Sequence, residues 1–216
     1  IQNTLQFHPR EDYWLSQALQ IYLMITYVNQ FYPNTKMIGS LSDLWIIKWA
    51  HGAEIEFNDQ YSMLYQNMAR NNINQKLTTP RDSLIKFNNN IANPYYGGQG
   101  LKYLSAYIGK DALSKSIREF YAESNLKPVK TEDFQRKLKQ NSSLPVDWFF
   151  KDYSDSETTI DFKINKVKKQ GDSLEVQIKN LNKNSLPVSI YGLNKTKTVF
   201  SITIHTRDDT YRFSLK

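Results

Sequence analysis

Trp148-Phe149-Phe150-Lys151-Asp152-Tyr153-Ser154-Asp155-Ser156-Glu157-Thr158-Thr159-Ile160-Asp161-Phe162-Lys163-Ile164 is where the periodicity of this chain changes. Before Ser154–Ser156, apolar residues recur at helical spacing; after it they alternate. The chain therefore reads as α+β, with an all-helical lobe over residues 1–155 and a small antiparallel β-sandwich of fibronectin-like size over 156–216.

Downstream, Ile160, Phe162 and Ile164 alternate, as do Leu174, Val176 and Ile178, with Gln170-Gly171-Asp172 as the turn between them. Leu186, Val188 and Ile190 continue the rhythm, followed by Ile202 and Ile204, then Tyr211, Phe213 and Leu215. The last strand runs to Lys216, which predicts a sandwich truncated at its end.

Upstream, a first helix is predicted from Glu11 or Asp12 to about Tyr32, stopping before Pro33. Apolar side chains point nearly all round it, as on a helix buried inside a larger domain. Gln17 and Gln20, at i and i+3, form its polar stripe. Ser42 is the expected N-cap of a second helix carrying Leu44, Trp45, Ile46 and Trp49. Further helices are predicted at 58–71, 80–90, 98–108, 111–124, 131–140 and 146–153, with Pro80 at an N1 position and Thr131 as an N-cap.

The 216 residues suffice for a sizeable core, and no apolar run approaches the ~18 residues of a membrane span. The chain opens Ile1-Gln2-Asn3-Thr4, without Met or a basic leader segment, as expected of a processed or excised piece. With no cysteine there is no disulfide, thiolate nucleophile or Cys-based metal site. The net charge of +7 is scattered, densest at Lys163, Lys166, Lys168 and Lys169 in a strand-and-turn region. That pattern suits a solvated basic face better than a nucleic-acid footprint.

His8, His51 and His205 lie far apart, and no His-x-x-x-His pair, Gly-x-Ser-x-Gly elbow or phosphate-binding Gly-rich loop is present. Motifs alone leave the function open.

The run Tyr13-Trp14-Leu15-Ser16-Gln17-Ala18-Leu19-Gln20-Ile21-Tyr22 adds more. It resembles the helix that delivers the third zinc ligand in aminopeptidase-N-type zinc metallopeptidases (gluzincins), where Trp-Leu-x-Glu-Gly precedes a Tyr one turn on. Asn93-Pro94-Tyr95-Tyr96-Gly97-Gly98-Gln99-Gly100-Leu101 is similar to that family's Tyr-x-x-Gly-x-x-Leu element. Thr131-Glu132-Asp133-Phe134 with Val146–Tyr153 resembles its Thr-x-x-Asp-Phe … Leu-x-x-Phe-Phe-x-x-Trp signature. The loop His8-Pro9-Arg10-Glu11-Asp12 resembles the Bacteroidetes-like branch. The order agrees over nearly the whole chain, apart from an insertion expected around Ile47–Tyr61.

The resemblance implies that Tyr95 would stabilise the oxyanion of a tetrahedral intermediate, a role suited to a phenol. It also implies that Gly98 would let the next helix start close to a cleft lined by Gln17 and Gln20. The departures matter as much. Gln17 stands at the position of the ligand Glu, and a neutral amide is a poor zinc ligand. Ala18 replaces the following Gly. The His-Glu-x-x-His helix, about 18 residues before the ligand position in such enzymes, would fall before Ile1.

The expectation is therefore a chain that descends from peptide-hydrolysing zinc enzymes, binds no cofactor itself, and is inactive as it stands. Zinc is expected only in an intact family member. The alternative is a non-catalytic module that holds a peptide or protein in the old cleft. Absence of cysteine does not fix the compartment; a cell-envelope or secreted location is expected over a cytoplasmic one.

Overall fold

The computed structural model describes residues 4–39, 54–157, 160–171, 173–182, 184–194, 197–205 and 209–214, with backbone only for 205 and 209–214. The predicted Ser42 helix, His51 and residues 47–53 of the expected insertion lie outside the described residues. The protein divides into two compact units, Ile1–Asp147 and Trp148–Lys216. Helices dominate the first and antiparallel strands the second, an α+β fold with a helical part and a β-rich part.

In the first unit, α1 (Tyr13–Phe31) buries Trp14, Leu15, Ala18, Leu19, Tyr22 and Ile25. Contrary to the sequence expectation, it is not buried all round. Its C-terminal half leaves Leu23, Met24, Tyr27 and Phe31 exposed, with Tyr27 packed at a tilt on Phe31 and Tyr32. Next come α2 (Asp59–Arg70), α3 (Asn93–Ile108), α4 (Lys110–Glu123) and α5 (Thr131–Asn141). A second core gathers Phe120 of α4 and Phe134 of α5, rings 5.3 Å apart, with Phe7 against Phe120. Phe7 belongs to β1 (Gln6–Phe7), which pairs in parallel with β2 (Pro128–Val129).

Asp12 is the residue preceding α1, but its carboxylate caps another helix. Oδ1 accepts from the Thr131 N–H at 3.0 Å and from the Thr131 hydroxyl at 2.7 Å, at the start of α5. Thr131 is thus the first residue of α5 rather than its N-cap, which is Lys130. The Lys130 N–H donates to Asp133 Oδ2 at 3.0 Å, as in half of a capping box.

The predicted 80–90 helix is broken rather than continuous, with helical backbone resuming at residue 86. A 3₁₀ turn at Arg81–Ser83 ends at Leu84, which is extended. The break is held by Gln75: its Nε2 donates to Ser83 O, while its Oε1 accepts from the Ile85 N–H and from Asn88 Nδ2. With backbone groups of Ser83 and Ile85 satisfied by a side chain, residues 83–85 have no need of helical bonds. The predicted 98–108 helix instead begins at Asn93, preceded without interruption by a π-helical turn at Asn88–Ala92. Pro94 explains that turn: its ring and missing N–H are incompatible with a regular α-turn behind it, and the wider turn relieves the clash.

Gly98 is therefore not at a helix start. It sits inside α3, buried against α1, where a Cβ would lie 2.6 Å from Ile21 Cβ; one on Gly97 would lie 2.7 Å from Ala18 Cβ. The two glycines let α1 and α3 approach closely, with Ala18 fitting over Gly97.

The second unit opens with a π turn at Phe149–Tyr153, in which Phe149 and Tyr153 stack at 5.6 Å. The strands are β3 (Phe162–Gln170), β4 (Ser173–Asn180), β5 (Pro187–Asn194), β6 (Lys197–His205) and β7 (Asp209–Ser214). They form a three-stranded antiparallel sheet in the order β3-β4-β7 and a two-stranded ribbon β5-β6. Val176 and Ile178 of β4 share one apolar cluster with Ile190 of β5, flanked by Phe162, Leu174, Val188 and Ile204. Among the described residues, no helix is long and apolar enough to cross a membrane.

Candidate functional site

Of the residues singled out by sequence, Gln17 sits at the junction of α1, the π turn and α3. The wider turn sends the Asn93 N–H back to Asn88 O, five residues earlier. On the same spacing, the carbonyl of Asn89 would look to residue 94, and Pro94 has no N–H to offer. Gln17 fills the gap: its Nε2 donates to Asn89 O at 3.1 Å. Because a carbonyl can only accept, the amide nitrogen of Gln17 must face it. A glutamate carboxylate could not make this bond. Gln17 thus supplies the proton that a proline removed from the next helix.

Gln20, one turn on, is exposed, whereas Gln17 is half-buried. Tyr95 is half-buried and meets Tyr61 edge-to-face, ring centroids 4.8 Å apart. Burial, with a smaller contribution from Tyr95, holds the Tyr61 phenol above its ordinary pKa. Next to this pair, Tyr65 and Tyr96 stack at 4.1 Å, and burial pushes the Tyr65 phenol up to about 12. Both phenols stay neutral at physiological pH. Tyr95 thus belongs to an aromatic wall between α2 and α3.

A cavity of about 380 Å³ lies beside the Gln17 bond, lined by Pro9, Arg10, Arg81, Asp82 and Asn89. Tyr95, Gln20 and Gly98 are not among its lining residues. The Arg81 N–H donates to Arg10 O at 2.9 Å, joining the loop before α1 to the 3₁₀ turn. Arg10 Nε meets Asp82 Oδ2 at 2.9 Å, and Arg10 Nη1 lies 3.5 Å from Glu11 Oε1. Asp82 raises the pKa of Arg10, and Arg10 lowers that of Asp82. The Arg81 guanidinium lies over the Tyr13 ring, its carbon 4.0 Å from the centroid. Sequence reading missed Arg81, Asp82 and Asn89 as site residues; the only trace was an Arg-acid dipeptide at each of two distant positions.

The described residues offer no zinc-ligand set of their own. Among the described residues, no three His, Cys, Asp or Glu side chains converge. His8 turns its Nδ1 to the Glu11 N–H at 3.3 Å, and Gln17 is committed as a donor.

No protein-family model matches this chain. No curated protein matches it either. Among solved structures, it is weakly similar to the crystal structure of Legionella pneumophila aminopeptidase A in complex with aspartic acid, at a TM-score of 0.48 and 16% sequence identity. The match covers 58% of this protein and 16% of that one, so the present sequence spans a small part of its structural neighbour.

Proposed function

We propose that this protein is the helical part and following β-rich part of a zinc-metallopeptidase-like protein. In this reading the ligand position has passed to structural use, and the polypeptide by itself neither holds zinc nor hydrolyses peptides. The observation that carries it is the Gln17 amide donating to Asn89 O beneath Pro94. Support from the sequence comes from Trp14, Leu15, Tyr22, Tyr95 and the Thr131–Phe134 and Val146–Tyr153 stretches, in the order of the aminopeptidase-N-type family. The β-rich part takes the place of the fibronectin-like sandwich that follows the helical lobe there.

A second reading, a non-catalytic module that binds a peptide or protein, is favoured by the Arg10–Arg81 cavity next to the same bond. In both, Tyr95 packs on Tyr61 in the wall between α2 and α3 and has no reaction to serve.

Calorimetric titration of the protein with zinc chloride tests the proposal. No binding is expected at micromolar concentrations. Stoichiometric micromolar binding that disappears in Gln17→Ala would sink the structural reading of Gln17.

A further inference from the structure

We infer that the cavity lined by Pro9, Arg10, Arg81, Asp82 and Asn89 binds a carboxylate group of a peptide, with the Arg81 guanidinium as its anchor. This rests on the peptide-binding reading above and gives that site a ligand class. Four observations converge on it.

First, the two arginines of the wall are not equivalent. Arg10 is engaged, by Asp82 through Nε and by Glu11 more distantly through Nη1. No carboxylate lies within ion-pair distance of Arg81 among the described residues, although Asp82 is its neighbour in sequence and Arg10 draws that carboxylate away. The lining residues therefore carry two positive charges and one negative.

Second, Arg81 is restrained by an aromatic ring. Its guanidinium carbon lies over Tyr13, 4.0 Å from the centroid, a contact that limits where the group can sit. A planar fork with free edges matches a carboxylate through two parallel hydrogen bonds. An ammonium at the same place would have no such preference.

Third, the turn beneath is tied down. The Arg81 N–H bonds to Arg10 O, the Ser83 carbonyl accepts from Gln75, and Ser83 N–H donates to Pro80 O at 2.8 Å. The anchor is held on a short, well-bonded turn, so little order remains to be imposed on binding. Fourth, a volume of about 380 Å³ suits one or two residues of a peptide rather than a lone ion.

The carboxylate can come from an acidic side chain or from the C-terminus of a peptide, and the experiment separates the two. Four acetylated alanine peptides are required, with glutamate or glutamine at one internal position, each as C-terminal acid or C-terminal amide. They are titrated into the full-length protein in a Tris buffer free of other carboxylates, following the Arg81 Nε–Hε signal by NMR. The peptide amide with glutamine should leave that signal in place. At least one carboxylate peptide should shift it saturably, and which one does so identifies the source. Arg81→Gln should weaken that binding roughly tenfold or more, and Arg81→Lys several-fold because the fork is lost. Salt raised from about 0.05 M to about 0.5 M should weaken it further.

Equal shifts with the uncharged peptide would overturn the inference. So would wild-type affinity in a folded Arg81→Lys variant, which keeps the charge and guards against loss of fold in Arg81→Gln. Zinc binding by the protein would defeat the inactive reading of Gln17 yet leave these titrations unchanged, so the two can fail separately.

Discussion

Gln17 shows how one atom type decides what a position can do. An amide and a carboxylate have the same shape here, but only the amide can donate to Asn89 O. Gln17→Glu should therefore destabilise the protein by roughly 1–3 kcal/mol at neutral pH, because two acceptors then face one another in a half-buried place. Near pH 4, about the ordinary pKa of a glutamate, the protonated carboxyl can donate in its turn and the deficit should shrink. Urea denaturation of wild type and variant at the two pH values measures this; an equal deficit at both would show that the bond has little weight. Pro94→Ala restores a backbone N–H at the position whose lack Gln17 covers. In that background, Gln17→Glu should be milder by about 1 kcal/mol, a coupling that a double-mutant cycle reads directly.

At the scale of elements, the tight contact is α1 on α3. Gly→Ala within an exposed helix stabilises by about 1 kcal/mol, yet Gly97→Ala should destabilise here by roughly 1–3 kcal/mol, since its new methyl would stand 2.7 Å from Ala18 Cβ. Adding Ala18→Gly should recover part of the loss, and thermal unfolding of the single and double variants is the measurement. Unchanged stability in Gly97→Ala would mean that the two helices can slide apart freely.

The elements that sequence made legible are those whose apolar rhythm is their own. Trp14, Leu15, Leu19, Tyr22 and Ile25 announced α1, and Val176 and Ile178 announced β4. What stayed hidden depends on partners distant in the sequence. Nothing local marks Gln75 as the brace that breaks the 80–90 segment, or Asp12 as the cap of a helix 119 residues away. Gly98 reads as a helix start because nothing local shows that the helix continues back through Pro94 into a π turn. The paired arginines of the cavity carry no periodicity at all. Only folding brings Arg10 and Arg81 together.

At the scale of the molecule, each unit has its own apolar cluster. Val176, Ile178 and Ile190 centre that of the second, and Ile178 is 3% exposed. Ile178→Ala should cost about 2–5 kcal/mol. Amide hydrogen exchange should show the loss of protection confined to residues 148–216. Matching loss across α1 and α3 would mean that the two units unfold as one.

The N-terminal residues of the first unit are secured by a segment made much later. Thr4 O accepts the Leu126 N–H, Gln6 and Phe7 lie beside Pro128 and Val129, and Asp12 waits for Thr131. During synthesis at about 5–20 residues per second, 119 residues separate Asp12 from the group it caps, a delay of roughly 6–24 seconds. The apolar face of α1 finds α3 earlier in that interval, but the loop before α1 is not tied down until its end. Assembly of the helical unit is therefore a non-local event on the nascent polypeptide.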